Sequence, residues 1–62
     1  MSIQPVMRGD GRRYRSIADA AREIAGETGS AYEVVRVGIS NAANGKQPES
    51  YGFTWEKVDR WR

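Results

Sequence analysis

Ile39-Ser-Asn-Ala-Ala-Asn-Gly-Lys46, followed closely by Ser50-Tyr-Gly-Phe-Thr-Trp-Glu-Lys-Val58, is the stretch that decides the fold. Its first part predicts the end of a helix, because Gly45 can adopt the left-handed conformation that closes many helices. Its second part alternates from residue to residue, with Phe53 and Trp55 on one side, as in a half-buried strand. A lone strand is not stable in water, so the rest of the chain must supply a partner.

The chain before this stretch predicts a partner strand and a first helix. Residues 12–15 can form a short strand with Tyr14 pointing inward. Ser16 is a good N-cap, and Asp19 three residues later gives a capping-box pattern. Apolar residues then recur at helical spacing: Ile17, Ala20, Ala21 and Ile24. We expect this helix to stop at Gly26, where a turn begins.

A second helix is expected over about residues 30–44. Ser30 and Glu33 repeat the capping-box pattern. One helical stripe collects the apolar residues Tyr32, Val35, Ile39, Ala42 and Ala43. Residues 32–37 are also rich in β-branched side chains, and Gly38 inside a helix costs about 1 kcal/mol relative to alanine. The cap and the stripe favour a helix, and a strand over 32–37 stays the alternative.

These elements predict an α+β fold in the order strand–helix–helix–strand. A helix-turn-helix-like pair of helices would pack on a two-stranded antiparallel sheet made of the strand near Tyr14 and the aromatic strand. With 62 residues the chain has room for one small domain. We expect that domain over residues 12–58, after a flexible basic arm over 1–11 and before a polar tail over 59–62.

The composition argues against an enzyme. The chain has no cysteine and no histidine, which removes the usual zinc ligands and the usual general base near neutral pH. We therefore expect no catalytic residue, no metal and no cofactor. No apolar run is long enough for a membrane span or a signal-peptide core, which predicts a cytoplasmic protein with no membrane contact.

The basic residues are clustered, although the net charge is only +2. Arg12, Arg13 and Arg15 follow one another closely, and such a cluster is typical of contact with nucleic-acid phosphates. It is equally typical of a solubilising tail, and the cluster alone does not separate the two interpretations.

The second helix carries side chains that can read DNA. Arg36, Ser40 and Asn44 recur at a spacing of four residues, with Asn41 beside them. Asparagine can bond adenine and arginine can bond guanine, whereas serine and lysine, here Lys46, more often hold phosphates. The alternative is that these are ordinary exposed residues of an amphipathic helix.

Three motifs resemble the nuclease-associated modular DNA-binding domains, which occur beside homing endonuclease catalytic domains and in phage proteins. The motifs are Tyr-x-Ser-Ile-x-x-Ala-Ala-Arg (14–22), Ile-Ser-x-Ala-x-Asn-Gly-Lys (39–46) and Tyr-Gly-Phe-x-Trp (51–55). The resemblance implies a helix-turn-helix unit whose second helix contacts double-stranded DNA through Ser40, Asn41, Asn44 and Lys46. It also implies a phage or mobile-element origin. The segment between the first two motifs is longer here than the family usually has.

A rival interpretation uses the same fold for a protein–protein interaction or for self-association, without nucleic acid. Val34 and Val37 fall off the apolar stripe of the second helix, and with Trp61 they would form an exposed apolar patch. In either interpretation one small module has a small footprint, so tight binding would need a homodimer or a fused partner.

Overall fold

The computed structural model describes residues 4–59. They form three short strands and two helices in the order β1 (Val6–Arg8), β2 (Arg13–Tyr14), α1 (Ile17–Thr28), α2 (Tyr32–Ala43) and β3 (Trp55–Lys57). The expected α+β class is confirmed, with three strands instead of two. The predicted strand over 51–58 is confined to its last part.

The chain segment expected to be a flexible arm supplies the central strand of the sheet. The strand order is β2-β1-β3, and both pairings are antiparallel. Val6 lies opposite Tyr14 on one side and Lys57 on the other, and it is completely buried. Two predictions are therefore wrong: residues 4–11 are not an arm, and β3 pairs with β1 instead of with the segment around Tyr14. The domain begins before residue 12 because burial of Val6 holds β1 in place.

A glycine-rich turn joins β1 to β2. The N–H of Arg8 donates to the carbonyl of Arg12 (2.7 Å), and the N–H of Gly11 donates to the carbonyl of Arg8 (2.8 Å). Gly11 is left-handed, with φ of 96°. This is the pattern of a three-residue hairpin loop closed by a glycine bulge, which allows β2 to return alongside β1.

Helix α1 begins where the sequence predicts and ends later. The Ser16 Oγ accepts a hydrogen bond from the N–H of Asp19 (3.2 Å), which confirms the N-cap. The helix runs through Gly26 to Thr28, and Gly29, whose φ is 75°, caps its end. The Thr28 hydroxyl donates to the carbonyl of Ile24 (2.8 Å), which completes the last turn. The predicted stop at Gly26 is wrong because Gly29 takes the left-handed position.

Helix α2 is a helix, and the strand alternative for 32–37 is excluded. Its N-cap is Ala31, without a side-chain hydrogen bond, so the capping box expected from Ser30 is wrong. The carboxylate of Glu33 instead pairs with Arg36. The expected apolar stripe is confirmed: Val35, Ile39 and Ala42 are buried, and Tyr32 and Ala43 pack against the core.

Gly38 lies where a tight turn presses on α2. A Cβ at this position would be 2.8 Å from Oγ of Ser50 and 3.4 Å from Cε2 of Tyr51. That turn is closed by Ser50 and Phe53, and both central residues have positive φ, 55° for Tyr51 and 82° for Gly52. The close approach of this turn therefore leaves little room for a side chain at Gly38, in the middle of the helix.

The core lies between the sheet and the two helices. Its buried side chains are Val6, Tyr14, Ala20, Ala21, Ile24, Val35, Ile39, Ala42 and Trp55. The rings of Tyr14 and Trp55 are 5.8 Å apart, and Nε1 of Trp55 donates to the carbonyl of Ser50 (3.0 Å). Helix α1 packs against α2 and beside β2, whereas α2 packs against β3. The two helices therefore cover opposite edges of one sheet face.

Candidate nucleic-acid interface

A three-residue turn, Gly29 to Ala31, connects the two helices. Gly29 adopts the left-handed conformation that allows the chain to change direction within three residues. A turn of three or four residues containing glycine is typical of helix-turn-helix motifs, in which the second helix enters the major groove. The helix pair shares the short, glycine-containing turn of that motif, and one side of α2 is buried while the other faces outward.

The C-terminal end of α2 is tightly closed. The N–H of Lys46 donates to the carbonyl of Asn41 (2.8 Å), and that of Gly45 donates to Ala42 (3.2 Å). With Gly45 left-handed at φ of 79°, this is a Schellman motif. The predicted helix end at Asn44-Gly45 is confirmed, and the motif fixes where Lys46 leaves the helix.

Two of the predicted reading residues also serve this helix end. Nδ2 of Asn44 donates to the carbonyl of Ser40 (2.8 Å) and approaches its Oγ at 3.3 Å. Asn44 is exposed and Ser40 is half-buried. To bond a base, the Asn44 amide must exchange these contacts within its own helix for contacts with DNA.

Arg36 is exposed but already paired. Its Nη2 is 2.9 Å from Oε1 of Glu33, one helical turn earlier. The hydrogen bond with Glu33 raises the pKa of Arg36. An exposed pair at this spacing contributes little stability, so Arg36 can leave Glu33 for a phosphate or a base at small cost.

Arg12 belongs to a charged network between the hairpin and α1. Its Nη2 donates to Oε1 of Glu23 (2.6 Å), while the hydroxyl of Tyr14 donates to the other oxygen of that carboxylate. Arg8 also approaches Glu23 (3.8 Å) and is bound to Asp10 (2.8 Å). The hydrogen bond from Tyr14 helps lower the pKa of Glu23, and burial raises the pKa of Tyr14 to about 12. Arg12 therefore already has a carboxylate partner within the fold, although about half of its side chain is exposed.

Arg13 and Arg15, the other two arginines of the cluster, lie in and just after the edge strand β2. Arg13 alternates with the buried Tyr14 in β2, so it faces away from the helices, in register with Met7. Arg15 follows β2 and is exposed. Since β2 and β3 are opposite edges of the sheet and α2 packs against β3, these arginines and α2 lie toward opposite edges of the sheet.

The structure brings out side chains whose roles sequence reasoning missed. The Arg8–Asp10 pair and Glu23 form the network just described; the spacing of Arg8 and Asp10 around a glycine turn was the signal available in the sequence. By contrast, the prediction that Val34 and Val37 are exposed is confirmed, at 62% and 50%. Trp61, expected to extend their patch, lies outside the described residues.

Two classes of site find no support within residues 4–59. No group of three or more acidic, cysteine or histidine residues is placed to hold a metal ion there. No helix in that part of the chain combines the length and the apolar character needed to cross a bilayer.

Comparisons with models of protein families, with curated proteins and with solved structures gave no significant match. The likeness to nuclease-associated DNA-binding domains stays a prediction from the motifs.

Proposed function

We propose that this protein is a non-catalytic DNA-binding module that presents the outward side of α2 to the major groove of duplex DNA. The observation that carries the proposal is the three-residue turn at Gly29, which packs α2 on α1. Arg36 and Asn44 on α2 remain exposed. A single α-helix fits the major groove, where base edges are distinguishable.

Within this proposal the contacts divide into two groups. Arg36, Ser40, Asn41 and Asn44 probe the groove, and Lys46 at the helix end holds a phosphate. Lys46 is exposed and forms no ion pair within the described residues. Arg13 and Arg15, at the other sheet edge, would meet a separate stretch of backbone or a second duplex. Arg12 contributes through the fold, because Glu23 already neutralises it.

The proposal also has consequences for context. One module contacts few phosphates, so useful affinity needs a homodimer, a second module or a fused partner. A cytoplasmic location is part of the same proposal, and the resemblance of the motifs implies a phage or mobile-element origin.

The salt dependence of DNA binding tests the proposed function. Fluorescence-anisotropy titration of a random-sequence duplex at low and at moderate salt would give Kd in each condition. We expect non-specific binding of about 10⁻⁴ to 10⁻⁶ M, with log K falling roughly 0.9 per phosphate contact as log salt rises. Lys46→Gln should lower that slope by about 1. Glu27→Gln is a control because it changes one exposed charge on α1. No binding at low salt would exclude the proposal.

A second candidate is a protein-interaction module, favoured by the exposure of Val34 and Val37. An apolar interface weakens little as salt rises, so the same titrations, followed by sedimentation of the protein alone, separate the two candidates. A salt-insensitive self-association that Val37→Ser abolishes would support this second function.

A further inference from the structure

The exposed valines of α2 lie on the same helical stripe as Asn41. Val34, Val37 and Asn41 are spaced i, i+3, i+7, and residues at this spacing share one face of a helix. The valines are 62% and 50% exposed. The backbone carbonyl of Asn41 accepts from Lys46, whereas its side-chain amide forms no hydrogen bond within the described residues. The stripe thus offers two apolar groups in line with one unengaged amide.

The size of this stripe favours a small apolar ligand group over a protein surface. A stable protein interface buries about 800 Å² on each partner, which two half-exposed valines on one helix do not approach. In the major groove an A·T pair presents the thymine 5-methyl group beside N7 and N6 of adenine. Valine methyl groups can pack on the thymine methyl group. The side-chain amide of asparagine can form two hydrogen bonds with adenine, one at N7 and one at N6.

We propose that the stripe of Val34, Val37 and Asn41 reads A·T pairs by packing on thymine methyl groups in the major groove. The proposal rests on the proposed DNA-binding function and adds the class of sequence that the helix selects. The occupant is duplex DNA containing thymine.

The dimensions of the helix agree with this assignment. A rise of about 1.5 Å per residue separates Val34 and Val37 by about 4.5 Å along α2, close to the roughly 3.4 Å between successive base pairs. Asn41 is about 6 Å beyond Val37 by the same measure. The three side chains therefore span about three to four base pairs. Lys46, just beyond the end of the helix, can hold a phosphate beside this stripe.

Removal of the thymine methyl group gives a direct test. Anisotropy titrations would compare an A·T-rich duplex with the same duplex in which deoxyuridine replaces thymine, which changes only the 5-methyl groups. For the unaltered protein we expect deoxyuridine to weaken binding about fourfold for each contacted methyl group. In Val34→Ala/Val37→Ala the two duplexes should bind nearly equally. Both positions are exposed, and circular dichroism checks that this variant is folded.

Each other outcome has a definite meaning. Val37→Thr keeps one methyl group and should keep part of the discrimination, and Glu27→Ala on α1 should keep all of it. Equal binding of both duplexes by the unaltered protein, with the salt dependence intact, would overturn this inference and leave the proposed function standing. Discrimination that persists in the double variant would overturn it too, because the methyl groups would then be sensed elsewhere. Absence of DNA binding under all conditions would overturn both proposals.

Discussion

The hydroxyl of Tyr14 donates to the carboxylate of Glu23, nine positions further along the chain. This bond ties strand β2 to helix α1. Arg12 and Arg8 reach the same carboxylate from the hairpin. Because the domain is small and its core is correspondingly small, a polar tie between two elements contributes a substantial part of its stability.

Glu23→Gln should therefore destabilise the fold. Hydrogen bonds to charged groups contribute about 1.5–3 kcal/mol each, and the partial exposure of Glu23 reduces this to about 1–2 kcal/mol for the substitution. Urea unfolding followed by tryptophan fluorescence measures the change. Glu27→Gln, an exposed position of the same helix, is the control and should be nearly neutral. Equal stability of the two variants would show that the Glu23 contacts do not hold the fold.

Acid should weaken the protein through the same network. The pKa of Glu23 lies below its ordinary 4.5, first because of the hydrogen bond from Tyr14, and that of Asp10 lies below 3.8 because of Arg8. A carboxylate whose pKa is lower in the folded state than in the unfolded state contributes its full stabilisation at pH values above the unfolded-state pKa. That stabilisation is lost as the pH falls through the folded-state pKa. The free energy of unfolding should thus be level between about pH 5 and pH 9 and should fall below about pH 4.5. In Glu23→Gln the free energy of unfolding should fall less steeply with decreasing pH. If its pH dependence is unchanged, groups other than Glu23 cause the loss of stability in acid.

Gly38→Ala should destabilise the protein, contrary to the usual gain of about 1 kcal/mol for this change in a helix. The new methyl group would lie 2.8 Å from Oγ of the buried Ser50, and overpacking of this kind costs about 1–3 kcal/mol. Gly26→Ala is a matched control, since a Cβ there meets nothing within 4 Å inside α1. We expect Gly26→Ala to raise the thermal midpoint and Gly38→Ala to lower it. If the thermal midpoint rises in both variants, the 50–53 turn moves enough to accommodate the new methyl group at little cost.

Trp55→Ala should unfold the domain. Trp55 is 5% exposed, packs on Tyr14 and bonds the Ser50 carbonyl, and truncation of such a residue costs about 3–5 kcal/mol. Trp55→Phe keeps the ring packing but loses the Nε1 hydrogen bond, so it should remain folded with a lower midpoint. Far-ultraviolet circular dichroism on heating distinguishes the three proteins. A native-like Trp55→Ala protein would indicate a surface role for this ring.

Arg36→Ala should weaken DNA binding and leave the fold intact. Its partner Glu33 is exposed, so loss of the pair changes stability little. One lost phosphate or base contact lowers affinity by about 1–3 kcal/mol. Arg22→Ala is the matched control because Arg22 forms the same i, i+3 pair with Asp19 on α1 (2.7 Å). Asn44→Ala should also weaken binding, with a small loss of stability from the helix end. If Arg36→Ala and Arg22→Ala have the same affinity for DNA, α2 is not the helix that contacts the DNA bases.

The sequence predicted the helices better than the sheet, for physical reasons. A stripe such as Val35, Ile39 and Ala42 repeats over several turns, so its period is visible along the chain. Strand β1 has three residues between Pro5 and Gly9, too few to show alternation, and its position depends on pairing with β3 near the other end of the chain. Long-range pairing of this kind leaves no local signal.

The candidate site shows the same limit. The reading face on α2 follows from helical spacing and could be predicted. The role of Arg12 could not, because Glu23 is brought to it only by packing of α1 against β2. A cluster of arginines therefore looked like a phosphate-binding arm although one of its members is neutralised within the fold.

The central position of β1 also bears on how the protein is made. During synthesis β3, the longer partner of β1, leaves the ribosome only after β2 and both helices. Until then β1 can pair only with the two residues of β2, and a lone hairpin is marginal in water. The helices can begin to form on the nascent chain, whereas Val6 and Trp55 are buried in the same late step. Folding of this domain therefore waits until β3 has been made, and a nascent chain stalled before Trp55 keeps its apolar residues available to chaperones and proteases.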